Sequence, residues 1–254
     1  MGGLFSLEGR VALITGASRG LGKEIAKAMA EAGAHVVLTA RSEDALNENA
    51  EAIRSAGGTA SVVRLDVTDE SAVVDAVAKT VADAGRLDIL VNNAGRAHRA
   101  PILEADSADW DAVVQTNLTS FFTLSREAAR PMVENGWGRI INIGSIMSQI
   151  ARPGVSAYVA TKHAVAGLTK ALAVELGPKG VTANAIGPGY FRTELTEPLQ
   201  HDPEFSRMIE TRCPVGRWGE AAELGGVAVF LASDAAAYIN GHLLIVDGGL
   251  TISL

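Results

Sequence analysis

Cysteine and aromatic residues are scarce in this sequence. The 254 residues include a single cysteine, Cys213, and only 5% of them are phenylalanine, tyrosine or tryptophan. A lone thiol excludes a disulfide within the chain and is typical of a reducing compartment, so we expect a cytoplasmic protein. We expect Cys213 to contribute to packing and not to act as a nucleophile.

Long apolar runs, excess basic charge and metal-binding patterns are missing as well. No run of about 18 apolar residues occurs, so we expect no membrane-spanning helix. The segment MGGLFSLEGR lacks the basic region and long apolar core of a secretory signal. The net charge of −7 argues against a nucleic-acid or anionic-membrane surface. The five histidines have no ligand-like spacing, so we predict no metal site.

The sequence does contain a regular alternation of short apolar runs and helical patterns. Runs such as VALIT (11–15) and DILVNNAG (88–95) alternate with helical patterns such as those at 43–56 and 70–84. This alternation predicts an α/β fold: a Rossmann-like, doubly wound parallel sheet of about seven strands with helices on both faces. Because no repeat or linker is visible, we predict one domain over residues 1–254. The least regular segment, 190–215, is predicted to form a lid over the substrate.

A glycine-rich turn joins the first apolar run to the next helical pattern. Its glycines, Gly16, Gly20 and Gly22, are spaced G-x-x-x-G-x-G and not in the more usual G-x-G-x-x-G arrangement. Glycine lets the backbone come close to a ligand, and the start of a helix offers free N–H groups to an anion. By itself this turn does not distinguish a nucleotide site from an ordinary tight connection.

The end of the second predicted strand bears on the choice of cofactor. An acidic residue there would bind the free 2′-hydroxyl of NAD. This chain has Thr39, Ala40 and Arg41 at that point, with Arg19 in the glycine turn. Guanidinium groups suit a phosphate, although an arginine at a helix start often serves only as a surface cap. We therefore predict a preference for NADP(H), with NAD(H) as the alternative.

The segment around Tyr158 suggests a proton-transfer site. Lys162 follows Tyr158 by four residues, so on a helix both side chains lie on one face. A free phenol titrates near ~10, and lowering its pKa to about 7 takes roughly 4 kcal/mol of preferential stabilisation of the phenolate. A neighbouring ammonium can supply part of that. The alternative is a half-buried tyrosine beside a solvated lysine, because the spacing arises often by chance.

Several polar or glycine residues follow directly after predicted strands. They are Gly16, Arg41, Asp66, Asn93 and Ser145. In a parallel sheet the carboxyl ends of the strands share one edge, and ligands bind there. We expect these residues to lie together.

In combination, these motifs resemble the short-chain dehydrogenase/reductase family. TGASRGLG, the NNAG of residues 92–95, Asn117, Ser145, Tyr158-x-x-x-Lys162 and PGYFRT occur in that family's order and spacing, and the resemblance covers residues 7–249. It implies an enzyme that interconverts a secondary alcohol and a ketone with a nicotinamide cofactor. It also implies a homotetramer (or homodimer) acting on a small molecule.

The resemblance assigns catalytic roles to matching positions. Tyr158 would be the general acid/base and would also contact the cofactor, and Lys162 would lower the pKa of Tyr158 and hold the nicotinamide ribose. Ser145 would orient the substrate oxygen, and Asn117 would hold a water that links Lys162 to solvent. The implied cofactor contacts are Gly16, Ser18, Arg19, Gly20, Leu21 and Gly22 for the phosphates and ribose, Asp66 and Val67 for the adenine, Asn93, Ala94 and Gly95 for the ribose, and Pro188, Gly189, Phe191 and Thr193 for the nicotinamide end.

Within the family, the C-terminal third is most similar to the gluconate 5-dehydrogenases, also called 5-ketogluconate reductases. The similar stretches are GYFRTELTEPL, RCPVGRWGEAAELGG and INGHLLIVDGG. A sugar acid carries a carboxylate that needs a cationic partner. Arg99, shortly after NNAG, and Arg152, between Ser145 and Tyr158, are the candidates. The alternative is that both are solvated loop arginines.

Two other functions remain open at this stage. A 3-oxoacyl-acyl-carrier-protein reductase would need a basic docking face, but the stretch REAARPMVENGWGR (126–139) interleaves Glu127 and Glu134 with its arginines. A nucleotide sensor without turnover would have no need for the phenol of Tyr158. The sequence favours neither.

Overall fold

Short runs of aliphatic residues form the strands of this protein, and the computed structural model describes them within residues 3–253. All of VALIT is buried, as expected for a strand covered on both faces. In chain order the strands are β1 (Val11–Thr15), β2 (His35–Ala40), β3 (Thr59–Arg64), β4 (Ile89–Asn92), β5 (Gly138–Ile143), β6 (Val181–Pro188), β7 (Phe191–Arg192), β8 (Gly219–Glu220) and β9 (Leu243–Val246).

Seven of these strands form one sheet in the order β3-β2-β1-β4-β5-β6-β9. Every neighbouring pair in it is parallel. The chain moves outward from β1 to β3 and then returns to place β4 on the other side of β1. Such a reversal opens a crevice at the carboxyl ends of the strands. The predicted doubly wound parallel sheet is confirmed.

Amphipathic segments between the strands form the helices. They are α1 (Gly20–Glu31), α2 (Glu43–Ser55), α3 (Glu70–Ala84), α4 (Ser107–Val114), α5 (Ser120–Glu134), α6 (Ser156–Leu176), α7 (Glu197–Gln200), α8 (Pro203–Arg212) and α9 (Glu223–Ala232). Buried side chains such as Ile25 and Leu224 pack α1, α2 and α9 on one face of the sheet. Val73 and Leu124 belong to the cluster of α3, α5 and α6 on the other. Within residues 3–253 no helix has both the length and the apolar character to cross a bilayer.

One local expectation differs from the structure. Segment 190–215 is more regular than expected, since it contains β7, α7 and α8. Asp202 starts α8 by accepting hydrogen bonds from the N–H groups of Glu204 and Phe205.

Adjacent glycines in α9 provide a test of how α9 packs on α1. A Cβ on Gly225 would lie 2.6 Å from the Cβ of Ala28, whereas a Cβ on Gly226 would meet no described atom within 4 Å. We expect Gly225→Ala to lower the free energy of unfolding by about 1–3 kcal/mol through overpacking. Gly226→Ala should raise it by up to about 1 kcal/mol because alanine favours the helix. Urea unfolding measures both changes, and equal shifts in the two variants would contradict this packing.

Candidate active site

Ser145 and Tyr158 meet at the carboxyl edge of the sheet. Ser145 follows β5 and is buried, and its hydroxyl accepts a hydrogen bond from the N–H of Met147 at 3.1 Å, which starts a short helical turn. Tyr158 lies in the first turn of α6. Both side chains line one small cavity of about 80 Å³. The fold therefore places the serine and the tyrosine in the same cavity, and their joint role in proton transfer stays a prediction.

Lys162 lies one helical turn after Tyr158 and is only 3% exposed. Its Nζ donates to the carbonyl oxygen of Ile143 at 2.6 Å and lies 5.5 Å from the centre of the Tyr158 ring. Burial lowers the pKa of Lys162 to about 7. The lysine is therefore a desolvated group fixed beneath the tyrosine, and not the solvated lysine of the alternative interpretation.

The pKa of the Tyr158 phenol is raised, because the surrounding protein disfavours the charged phenolate. Hydrogen bonding with Ser145 lowers it, and the positive charge of Arg152 lowers it to a smaller extent. Lys162 was expected to lower this pKa, but its ammonium donates to Ile143 and desolvation prevails. In this structure the phenol keeps its proton at neutral pH.

Asn117 lies in a π-helical turn, Gln115–Thr119, between α4 and α5, and it is fully buried. Its Oδ1 accepts from the N–H of Arg96 and its Nδ2 donates to the Arg96 carbonyl, both at 2.9 Å. Nδ2 also reaches Thr161 Oγ1 at 3.4 Å. Asn117 thus holds the segment after NNAG against α6, and its role in holding a water stays a prediction.

The glycine turn is folded tightly against Asn93. Gly16 and Gly20 have φ values of +65° and +54°, which favour glycine. The Asn93 Nδ2 donates to the carbonyls of Thr15 and Gly16 at 2.8 and 3.2 Å, and a Cβ on Gly22 would lie 2.4 Å from that nitrogen. The sequence GASRGLG therefore permits a turn that larger residues would block.

Free backbone donors line this turn. Among the described residues, no acceptor is bonded to the N–H groups of Ser18, Arg19, Leu21 and Gly22. Such a row of donors at the start of a helix suits phosphate oxygens. The turn therefore has the donor chemistry that a dinucleotide needs.

A cleft of about 780 Å³ extends from this turn along the edge of the sheet. The predicted cofactor residues that line it are Gly16, Ser18, Arg19, Gly20, Leu21, Arg41, Asp66, Val67, Asn93, Ala94, Gly95 and Thr193. The carboxylate of Asp66 is fixed by hydrogen bonds from the N–H and hydroxyl of Thr68, which lower its pKa. Of the strand-end residues expected to lie together, Gly16, Arg41, Asp66 and Asn93 line this cleft, and Ser145 lines the Tyr158 cavity. Three arginines, Arg19, Arg41 and Arg96, border the cleft.

Six other predicted cofactor residues do not line this cleft: Gly22, Tyr158, Lys162, Pro188, Gly189 and Phe191. Gly22 packs against Asn93, Lys162 bonds the Ile143 carbonyl, and Pro188 pairs with β9 inside the sheet. Tyr158 and Gly189 line the smaller cavity instead. These residues shape the site, and their direct contact with a cofactor stays a prediction.

The side chain of Phe191, also a predicted cofactor residue, lies in the hydrophobic core. It is only 5% exposed. A Cβ on Gly219 would lie 2.7 Å from its ring, so the ring packs on β8. The ring packs β7 against β8 and lines neither the cleft nor the Tyr158 cavity. The pattern PGYFRT alone could not reveal this orientation of the side chain.

Arg99 and Arg152 both line the Tyr158 cavity. Desolvation and the positive charge of Arg152 lower the pKa of Arg99. Within residues 3–253 neither guanidinium has a carboxylate within 4 Å. The Arg152 Cζ lies 5.6 Å from the Phe205 ring centre, which supports it from the lid side. The structure brings the two arginines together beside Tyr158, and their contact with a substrate carboxylate stays a prediction.

Tyr190 is a cavity residue that the sequence reasoning missed. Its ring packs edge-on against Phe205 and Trp218, with centroid distances of 5.2 and 5.7 Å. The cavity also receives Leu195, Thr196 and Leu199 from the lid segment. The position of Tyr190 directly after Pro188-Gly189 could have indicated a place near the active site. The orientation of its side chain, however, depends on aromatic residues that are distant in the sequence.

Comparisons with known proteins agree with this geometry. A family model described as enoyl-(acyl carrier protein) reductase matches residues 16–251. The gluconate 5-dehydrogenase of Gluconobacter oxydans is 47% identical over 99% of this chain and 98% of its own. The 3-oxoacyl-[acyl-carrier-protein] reductase of Vibrio cholerae is 40% identical over 96% and 98%. A gluconate 5-dehydrogenase from Burkholderia cenocepacia, solved with NADP and tartrate, superposes with a TM-score of 0.96 at 43% identity, covering 99% of this chain and 98% of that one.

Replacing Tyr158 tests the proton-transfer role. Tyr158→Phe removes only the hydroxyl, so we expect turnover to fall at least about 100-fold while cofactor affinity stays within twofold. Steady-state assays and cofactor titration measure the two effects. Tyr238, whose side chain is fully exposed, provides the matched control, and Tyr238→Phe should leave both values unchanged. Undiminished turnover in Tyr158→Phe would refute the assigned acid/base.

Proposed function

The chain belongs to the short-chain dehydrogenase/reductase family, and on this premise we propose that it is an NADP(H)-dependent enzyme acting on a sugar acid. The reaction interconverts a secondary alcohol and a ketone, as between gluconate and 5-ketogluconate. The observation that carries this proposal is that Tyr158, Ser145 and two arginines line one cavity. Leu195 lines both that cavity and the larger cleft, so the two adjoin.

NADP(H) fits the larger cleft by charge and by backbone chemistry. Arg19 and Arg41 border it, and no acidic residue stands at the end of β2 to compete with a 2′-phosphate. The nicotinamide cofactor supplies the hydride when it is bound. The Burkholderia cenocepacia relative was solved with NADP, which supports the same cofactor here.

The protein's own groups position the substrate and move the proton. The Ser145 hydroxyl donates a hydrogen bond to the substrate oxygen, and the Tyr158 hydroxyl gives that oxygen a proton during ketone reduction. The raised pKa of Tyr158 keeps this proton available at neutral pH. In the oxidative direction Tyr158 must first become a phenolate. The cationic groups around the site stabilise that form.

The arginine pair selects the substrate class. Two neighbouring guanidinium groups repel each other, and a carboxylate between them relieves that repulsion while accepting hydrogen bonds. A sugar acid presents such a carboxylate together with hydroxyls for Ser145 and Tyr190. The tartrate in the Burkholderia cenocepacia complex is itself a hydroxy acid, which is consistent with this class.

Reduction of 3-oxoacyl groups on an acyl-carrier protein is the second candidate. The Vibrio cholerae relative favours it, and the description of the family model, although it names an enoyl reductase, also refers to the acyl-carrier protein. The candidate docking stretch is poorly suited, however, because its arginines are paired. Arg126 bonds Glu70 and Glu127, and Arg130 bonds Glu127. An acidic carrier would have to displace these carboxylates.

A homotetramer in the cytoplasm completes the proposal. Apolar side chains stand exposed on the two long helices, with Phe122 on α5 48% exposed and Val174 on α6 79% exposed. Exposed apolar groups on these helices favour subunit contacts. The cytoplasmic location rests on the single thiol, which is buried at Cys213.

A substrate panel with both cofactors tests the proposed function. We expect the highest kcat/KM for a keto sugar acid with NADPH, and lower values for neutral polyols and acyl ketones, because only the acid engages both arginines. With the best substrate, NADPH should exceed NADH at least about tenfold, as expected for one charged contact. A preference for NADH would contradict the role assigned to Arg19 and Arg41.

Arg152→Ala tests the carboxylate site. We expect KM for a sugar acid to rise about 10- to 100-fold, because one charge-assisted pair is lost, while KM for a neutral ketone changes less than about threefold. Arg207→Ala is the matched control, since Arg207 is an exposed arginine of α8 outside the cavity. Equal effects on the acid and the neutral ketone would remove the carboxylate site from the proposal.

A further inference from the structure

One buried polar side chain in α2 has no part in the functions described so far. The buried stripe of α2 consists of Leu46, Asn49, Ala50 and Ile53. The spacing of this stripe is that of a helix face packed on a sheet. An aliphatic residue would be expected at position 49, where the asparagine is only 7% exposed.

The amide of Asn49 is bonded to the glycine turn. Its Nδ2 donates to the carbonyl of Ala17 at 3.1 Å and to the carbonyl of Ser18 at 2.9 Å. A buried amide is costly unless its hydrogen bonds are made. Here these bonds connect α2 to two successive peptide groups of the turn.

The direction of these carbonyls fixes the direction of the neighbouring donors. A trans peptide is planar, so its C=O and the following N–H point in opposite directions. Because the carbonyls of Ala17 and Ser18 point at Asn49, the N–H groups of Ser18 and Arg19 point away from α2. Ser18 and Arg19 both line the large cleft, and neither N–H has an acceptor among the described residues.

We infer that Asn49 is a positioning residue for the cofactor: it holds two peptide groups of the glycine turn so that the N–H groups of Ser18 and Arg19 are presented to a phosphate of the dinucleotide. The same two hydrogen bonds fix the backbone position of Arg19 and therefore the origin of its side chain. Asn49 touches no substrate and acts through the turn. This inference rests on the proposed use of NADP(H).

The test compares Asn49 with a buried asparagine remote from the cleft. Asn184 is 1% exposed; its Nδ2 donates to the Ile239 carbonyl at 2.8 Å and its Oδ1 accepts from the N–H of His242 at 3.0 Å. Asn49→Ala and Asn184→Ala therefore each remove a buried amide bonded to backbone. Asn49→Leu removes the donors and keeps the volume, in case the alanine variant folds poorly.

The readouts are the Kd for NADPH by fluorescence titration without substrate, the Tm without cofactor, and the KM of the substrate at saturating NADPH. We expect both alanine variants to lower Tm. Only the Asn49 variants should raise the Kd for NADPH, by about tenfold as expected for two lost hydrogen bonds. Their substrate KM at saturating NADPH should stay within about twofold, because Asn49 does not line the cavity that contains Tyr158.

An unchanged NADPH Kd in both Asn49 variants, or an equal rise in Asn184→Ala, would overturn the inference and leave Asn49 a purely structural residue. Cofactor binding by the unaltered protein distinguishes a failure of this inference from a failure of the proposed function. If the unaltered protein binds NADH and not NADPH, the cofactor proposal fails. The Asn49 assignment is then decided by the same tenfold criterion applied to the Kd for NADH.

Discussion

Hydrogen bonds from buried side chains to backbone carbonyls hold the reactive edge of this sheet in shape. Asn93 bonds the turn after β1, Asn117 bonds the segment after β4, and Lys162 bonds the carbonyl that ends β5. Each of these bonds satisfies a backbone carbonyl that would have no hydrogen-bond partner at or beyond the end of a strand. Because unmade bonds of this kind are costly when buried, each loop is confined to one geometry. The cleft depends on these contacts more than on contacts among the reactive groups themselves.

The same burial that fixes the site also sets its electrostatics. Desolvation lowers the pKa of Lys162 to about 7 and raises that of Tyr158, so both groups are shifted toward their neutral forms. The Tyr158 phenol therefore holds its proton more tightly than a free phenol does, and Lys162 releases its proton more readily than a solvated lysine does. The positive charge of Arg152 acts in the opposite direction on the phenol, which couples this cavity arginine to Tyr158.

Segment 190–215 joins the Tyr158 cavity to the rest of the fold through aromatic packing. Trp218 is 1% exposed and supports Tyr190, while Phe205 lies under Arg152. Edge-on aromatic pairs constrain orientation as well as burying area. Segment 190–215 therefore holds Tyr190 within its own aromatic packing and contacts Arg152 through the Phe205 ring.

The sequence by itself determined the order of strands and helices, the glycine turn and the identity of the reactive residues. These are local properties: apolar periodicity, glycine at positions that require it, and the spacing of Tyr158 and Lys162. Tertiary structure alone decided what residues far apart in the chain do to one another. In the folded protein the Phe191 ring packs in the core and Tyr190 lines the cavity. Asn49 donates to the carbonyls of Ala17 and Ser18, and Lys162 donates to the carbonyl of Ile143. Side-chain direction and desolvation depend on neighbours supplied by other elements, and no local pattern encodes those neighbours.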